Sequence, residues 1–346
     1  MRIVYDDIIY SLQKAGGISE VYSQISQYMP GEIYHYVYDN ASDNLSFQKN
    51  QNHKYIVLSS ILLSIKRFFC IHVNLKTPFI FHSSYYRTSR NKHAINITTV
   101  HDFMYEIYRK DLKSLFHKVQ KKRAVFKSDG IICISENTKN DLLKYYPNIN
   151  KPIAVIYNGY DDSSYFFRNS PREKTIVYTG GRKGYKNFQL AVQIVKELKN
   201  YHFIIAGGGA LTSEETALLS GVQFTKYGFV SSEQLSELYN TSFLFLYPSE
   251  YEGFGITPIE AQACGCLVAC QMKSSLPEVV RDTAIPIMPQ NIQETVSLIK
   301  KYEDPTEYGI IQKAGLNNAS RFSWKKTAKE YYSFYQQIES LKQNSI

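Results

Sequence analysis

Short apolar runs alternate with helical patterns along the whole chain. "RIVY" gives way to "GISEVYSQISQYM", in which Ile18, Val21, Tyr22 and Ile25 recur at helical spacing. Strands are predicted at "YHYVY", "FIFH", "INITTV", "GIICIS" and "PIAVIY", and helices at "KSLFHKVQKKRAVFK" and "SENTKNDLLKYY". The second of these helices opens on Ser135 as its N-cap and stops before Pro147. Residues 161–174, "DDSSYFFRNSPREK", are polar and carry a proline, so they read as a linker. The alternation then resumes with "TIVYTG", a helix near 187–199, "HFIIAGGG" and a helix near 213–220. "VQFTKYG", "SSEQLSELY", "SFLFLYP" and "LVAC" continue it.

Continuous apolar strands separated by helices imply buried parallel sheets, because right-handed crossovers cover both faces. Two such runs in tandem predict a two-domain α/β protein, each domain Rossmann-like. The expected division is a first domain over 1–160, the linker 161–174, a second domain over 175–322, and a last helix over 323–346 lying across the domain junction. Ligands of such sheets bind beyond the carboxyl ends of the strands. The residues found there include Gly16-Gly17, His101-Asp102, Gly180-Gly181-Arg182, Gly207-Gly208-Gly209 and "SEYEGFGITPIE". Glycines, cations and hydroxyls in those places favour a phosphate-bearing ligand.

Composition narrows the picture. The 346 residues are 44% hydrophobic and 21% charged, as in ordinary globular proteins. "MRIVYDDIIY" lacks the apolar run of an export signal, and "SSILLSIKRFFCIHV" is too short and too charged to span a bilayer. Five cysteines without paired metal spacing suggest a reducing, cytoplasmic setting. In "CGCLVAC" small residues packing a helix end against a strand explain the cysteines better than a metal does. Charge is uneven. Residues 1–160 hold 21 Lys and Arg against 12 Asp and Glu, and the rest hold 19 of each, so the whole net charge of +9 lies in the first half. That half is expected to meet something anionic.

Two motifs carry chemistry. In "TPIE", Thr257 is a fitting N-cap, Pro258 a favoured first helical residue and Glu260 the third, which together make a capping box. Glu252, by contrast, precedes "GFG", where glycines allow a ligand close to the backbone and a helix N-terminus offers its amides. A diphosphate suits those amides, and carboxylates suit the hydroxyls of a sugar or ribose. In "TGGRKGYKNF" a strand runs into paired glycines and then Arg182, Lys183 and Lys186, whose cations match phosphate oxygens.

"GGRKGYKN", "FLYPSEYEGFGITPIEAQACGCLVA" and "SLPEV" together resemble the nucleotide-sugar half of the retaining glycosyltransferases of family 4, which have the GT-B fold. Their signature is a pair of glutamates with seven residues between, here Glu252 and Glu260. "KAGGISEVY", "VHDF" and "NGYDD" are similar to the family's other landmarks, while residues 30–95 match loosely. The chain departs from the pattern in having Lys183 between Arg182 and Lys186, and in "GFGITP" where a leucine-proline is usual.

The resemblance implies two Rossmann-like domains facing a central cleft, with catalytic roles for His101, Glu252, Arg182 and Lys186. Arg182 and Lys186 would contact the donor diphosphate, Glu260 the ribose and Glu252 the transferred sugar. The loop and helix start at Gly253, Phe254, Gly255, Ile256 and Thr257 would cradle the donor, and Gly17 would let a first-domain loop approach the phosphates. His101 would sit over the reacting sugar. No cofactor or metal is expected, because the cations and the helix N-terminus would stabilise the leaving diphosphate. The donor would be a nucleotide-diphosphate sugar, GDP-mannose first and a UDP-sugar next, and the acceptor a glycan or lipid-linked glycan of a cell-surface polysaccharide. The basic first half fits an anionic membrane surface, reached through 62–76 and "HKVQKKRAVFK", which would place the protein on the inner face of the plasma membrane.

An NAD-dependent oxidoreductase is a rival on similar domains, but "AGGGALTSEE" has Thr212 where the last glycine of G-x-G-x-x-G belongs. An epimerase or sugar phosphorylase would keep the fold and change the reaction. Nucleic-acid binding is disfavoured, because the cations are dispersed without an aromatic-studded sheet.

Overall fold

The computed structural model describes residues 1–48 and 53–344. Two compact units divide the chain, one formed by 1–159 with the chain from Trp324 on, the other by Tyr160–Ser323. In the first unit, β1 (Arg2–Asp6), β2 (Glu32–Tyr38), β3 (Tyr55–Leu58), β4 (Phe79–Ser83), β5 (Ala94–Val100), β6 (Gly130–Cys133) and β7 (Ile153–Val155) form one sheet. Its order is β3-β2-β1-β4-β5-β6-β7, with every pairing parallel. β4 and β5 are buried at every position, as strands covered on both faces must be.

The last helix, Trp324–Gln343, packs within this unit against the helix Gly17–Tyr28 and β5. It buries Tyr331 and Tyr335, whose hydroxyls meet Thr99 and His82. The approach is close. A Cβ on Gly130 would lie 2.9 Å from Ile338 Cγ1, so glycine is what lets helix and sheet touch there.

The second unit repeats the plan. β8 (Glu173–Thr179), β9 (His202–Ala206), β10 (Phe224–Tyr227), β11 (Ser242–Tyr247), β12 (Leu267–Cys270) and β13 (Ile285–Pro286) run parallel in the order β10-β9-β8-β11-β12-β13. β8 takes up the end of the expected linker, starting at Glu173. The helix Phe188–Glu197 lays Leu190, Ala191, Ile194 and Val195 onto Phe203, Leu244 and their neighbours to make the core. Both units therefore have the doubly wound strand order in which the direction of winding reverses beside the first strand. No described helix is long and apolar enough to cross a membrane.

Candidate functional site

In the second unit the winding reverses between β8 and β11, and it is beyond the carboxyl ends of the strands at such a reversal that sheets of this kind bind ligands. The loop after β8 turns through Gly180, at φ +89°, and ends in the single turn Gly184–Lys186. The loop after β11 carries Glu250 and Glu252, and the Glu250 amide donates to the Tyr185 carbonyl at 2.8 Å, tying the two loops together. Lys186 Nζ pairs with Glu252 Oε1 at 2.6 Å, with side chains 24% and 14% exposed. The Lys186 ammonium also rides over the rings of Tyr185 and Tyr247. Burial, then the Glu252 charge, pushes the Tyr247 hydroxyl well above its ordinary pKa, so it stays a neutral donor.

Two serines hold the loop that follows. Ser274 Oγ accepts from the Glu252 amide at 2.8 Å, and Ser275 Oγ donates to the carbonyls of Glu252 and Phe254 at 2.9 and 2.7 Å. Gly255 then takes φ +100°, and a Cβ there would lie 2.8 Å from Leu276 Cδ2. The helix Ile256–Ala263 starts at once with Gly255 as N-cap and no capping side chain. The capping box expected of Thr257 and Glu260 is therefore not formed. Thr257 is already the second helical residue and Glu260 the fifth, because the left-handed turn at Gly255 starts the helix earlier. Gly253, Ile256 and Thr257 are half-buried at the mouth of this loop, and Phe254 is buried. The first turn therefore carries the positive end of the helix dipole without a capping side chain. Glu260 lies one turn in, where its charge, after burial, raises the hydroxyls of Tyr165 and Tyr239.

Arg182 is placed differently. Its Nη1 donates to the Gly207 carbonyl at 3.1 Å, and Nη2 to Ala210 and Gly209 at 2.6 and 3.3 Å. Glu215 Oε1 lies 3.0 Å from Nε. The other oxygen of that carboxylate accepts from the Thr212 amide at 2.9 Å, closing a true capping box on the helix Ser213–Leu218. Sequence reasoning missed Glu215, although "TSEE" carries the capping signature. A Cβ on Gly208, at φ +74°, would overlap Arg182 Nη1 and the Gly180 carbonyl. The glycine triplet thus makes room for a guanidinium. It also follows β9, the second strand of its unit, whereas a dinucleotide turn follows the first, so the oxidoreductase reading is not supported. Against the opposing effect of burial, the Thr212 amide and Arg182, with a smaller part from exposed Lys183, hold the Glu215 carboxyl below its ordinary pKa.

In the first unit His101 follows β5 directly and lines a pocket of about 310 Å³ with Gln13, Arg67, Asp102, Tyr105 and His117. Its Nε2 is buried without a partner. Burial, helped by Lys121, pushes its pKa down to about 4, so the ring is neutral at ordinary pH. Gly17 begins the helix Gly17–Tyr28, and nothing lies where its Cβ would be, so packing does not demand a glycine there. Cys264, Cys266 and Cys270 are buried free thiols, held protonated by burial with pKa values of about 11, 12 and 12.

Two doubly wound parallel units, the second with its ion pair and helix start at the reversal point, define a GT-B protein. HepE of Anabaena, solved with UDP and glucose, aligns at TM-score 0.75 over 97% of this chain and 100% of its own, at 14% identity. A family model described as "Glycosyltransferase Family 4" matches residues 7–164, and one described as "Glycosyl transferases group 1" matches 164–308. The chain belongs to the glycosyltransferase family that these two models describe. O-antigen chain mannosyltransferase B of Escherichia coli is 35% identical over 109 residues, 31% of this chain and 29% of that protein. O-antigen chain mannosyltransferase RfbU of Salmonella typhimurium is 27% identical over 212 residues, 59% of this chain and 60% of that one. The chain thus spans less than two thirds of either relative.

Proposed function

We propose that this protein is a retaining, metal-independent hexosyltransferase that moves mannose from GDP-mannose to a glycan or lipid-linked glycan in cell-surface polysaccharide synthesis. The observation that carries the reading is the Lys186–Glu252 pair, set at the winding reversal beside the uncapped helix start at Ile256. A diphosphate draws Lys186 off Glu252 and takes the first-turn amides. The freed carboxylate then accepts from a hydroxyl of the sugar, and Glu260 accepts from the ribose. Arg182 adds positive field and reaches a phosphate oxygen by giving up part of its hold on the Gly207–Ala210 carbonyls.

The acceptor oxygen bonds to the anomeric carbon as its bond to the diphosphate breaks, and the nucleoside diphosphate leaves with the electron pair. The acceptor proton passes to a phosphate oxygen on the same face, which keeps the anomeric configuration. Lys186, the amides and Arg182 stabilise the charge that grows on the leaving group, the work a divalent cation would otherwise do. Neutral His101, with an unpartnered ring nitrogen, hydrogen-bonds the sugar, and Gly17 admits the phosphates. The mannosyltransferase relatives favour GDP-mannose, while HepE bound to UDP favours a UDP-sugar as the second reading.

Thermal unfolding against GDP, UDP, ADP and NAD, each with and without EDTA, tests the reading. A ligand at a hundred times its dissociation constant stabilises by about 2.7 kcal/mol, a shift of several degrees. One nucleoside diphosphate should stabilise, independently of EDTA, and lose its effect in Glu260→Ala. An inverted product by NMR, or loss of turnover in EDTA, would overturn the mechanism.

A further inference from the structure

Four buried polar atoms without a partner line the pocket of about 310 Å³ beside His101: Gln13 Nε2, Arg67 Nε, His101 Nε2 and His117 Nδ1. Buried polar groups are normally satisfied, so four at one opening mark a place where a ligand's polar atoms complete the bonding. Separate elements of the first unit build the wall. Gln13 follows the helix Ile9–Leu12, Arg67 ends the helix Leu63–Lys66, Tyr105 lies on the helix Met104–Tyr108 and His117 on the helix Leu112–Lys127. The His117 ring stacks on Tyr105 at 4.1 Å between centroids and meets Tyr85 and Tyr86 edge-on at 6.0 and 5.4 Å. Aromatic faces with a few unsatisfied polar groups among them suit a sugar ring.

Arg67 decides which sugar. Its guanidinium lies over the rings of Tyr85 and Phe68 at 4.8 and 5.5 Å, and Nη2 donates to the Tyr85 hydroxyl. Burial outweighs the pull of Arg67 and holds that hydroxyl above its ordinary pKa, so it brings no negative charge. The buried cations of the same unit each have a carboxylate, Asp6 for Arg87 and Glu106 for Lys121, but among the described residues none pairs with Arg67. Asp102, the acid that lines the pocket, accepts from the Met104 amide at 3.0 Å. Burial first, then the charges of Lys121, Arg67 and Lys118, push the His117 pKa down to about 3, so that ring is neutral. A half-buried cation without a counter-ion is costly unless a ligand supplies the charge. A neutral hexose would partner the ring nitrogens and leave Arg67 uncompensated, whereas a carboxylate meets it by a charge-assisted hydrogen bond. With Nη2 already engaged, the remaining edge matches the single charge of a carboxylate better than the double charge of a phosphate.

We propose that this pocket binds a hexuronic acid residue of the acceptor glycan, its ring against Tyr105 and His117 and its carboxylate on Arg67 Nε and the Gln13 amide. The proposal rests on the transferase reading above and adds the substrate class, an acidic glycan.

Saturation-transfer NMR on the whole protein tests it with two matched pairs of methyl glycosides, glucuronic acid against glucose and galacturonic acid against galactose. Within each pair only a carboxylate replaces a hydroxymethyl group. At least one uronoside should bind about tenfold or more tightly than its neutral partner. Arg67→Met should erase that preference, and Arg67→Lys, which keeps the charge, should retain part of it. Equal binding within both pairs, no signal from either uronoside, or a preference that survives in Arg67→Met would overturn the proposal, and the wild-type comparison decides even where a variant fails to fold. The readout does not depend on turnover. Stabilisation by a nucleoside diphosphate without uronoside binding would overturn this site alone. A uronoside preference lost in Arg67→Met, in a protein that no nucleoside diphosphate stabilises, would keep the acidic-sugar site and overturn the transferase reading instead.

Discussion

The Lys186–Glu252 pair makes a prediction in which two substitutions at one contact have opposite signs. The groups lie 2.6 Å apart and are only partly exposed. Attraction at an effective dielectric near 20 is several kcal/mol, and desolvation with side-chain ordering leaves a net pair of about 1–2 kcal/mol. A nucleoside diphosphate that recruits Lys186 must first break that pair. Glu252→Gln removes the competitor, so affinity for the free nucleoside diphosphate should rise by about 5- to 30-fold. Lys186→Met removes a charge-assisted bond of about 1.5–3 kcal/mol, and affinity should fall by about 10- to 150-fold. Turnover with the full donor should fall in both, because Glu252→Gln also loses the charged acceptor for the sugar. Calorimetric titration of the nucleoside diphosphate and kcat from product formation measure the two quantities separately. If Glu252→Gln weakens nucleoside diphosphate binding as much as Lys186→Met does, the pair acts as a fixed unit and the exchange is wrong. Full turnover in Glu252→Gln would refute the sugar contact.

Three further outcomes follow from the geometry. Thr212→Ala should cost about 1 kcal/mol by urea unfolding because it removes a formed cap, whereas Thr257→Ala, which caps nothing, should stay within about 0.5 kcal/mol. Gly255→Ala puts a methyl against Leu276 at a positive φ and should cost about 1–3 kcal/mol, with donor binding lost alongside as the helix start shifts. His82, His101 and His117 have folded pKa values pushed down to about 3, 4 and 3, first by burial in each case. Below an unfolded value near 6.5 the unfolded chain therefore binds more protons, so stability is flat above that pH and falls beneath it, by up to about 1.4 kcal/mol per pH unit per histidine. The urea midpoint followed from neutral pH down to about 5 checks this, and His82→Gln should flatten the profile.

Most strands were legible because a buried parallel strand is an unbroken apolar run, as in "FIFH", "INITTV" and "SFLFLY". Two escaped that signal. β3 is an edge strand with its middle residues exposed, and β13 is two residues long. The helices Ile292–Lys301 and Pro305–Ala319 lie outside the strand alternation that the sequence displays. At the site, "EGFGITPIE" pointed to Glu252 and "GGRKGYKN" to Lys186, but that the two touch depends on β8 and β11 being neighbours, which no local spacing states. Thr257 misled because its cap signature is sound in isolation, and a positive φ at Gly255 overrides it. Glu215 and the glycine triplet could not be linked to Arg182 from spacing, since β8–β9 pairing brings them together. Likewise the period of Leu112, Leu115, Phe116 and Val119 announces a helix stripe without saying which way it faces.

Both units reverse their winding at the same step of the strand order, yet they treat that position differently. In the first unit the crevice beyond β1 and β4 is filled. Arg87 pairs with Asp6 through both carboxylate oxygens, Ser83 Oγ donates to Asp6 at 2.8 Å, and the paired side chains are at most 1% exposed. Breaking a pair so buried costs about 3–5 kcal/mol, more than a sugar hydroxyl or a single phosphate contact returns. A ligand cannot enter there by exchange, and the unit's polar opening lies instead by His101, where a ring nitrogen has no partner to surrender. In the second unit the same position holds a pair that is accessible and worth little to keep closed. The strand order sets the same position in each unit, and what differs there is the burial of the ion pair, closed between Asp6 and Arg87 and partly exposed between Lys186 and Glu252.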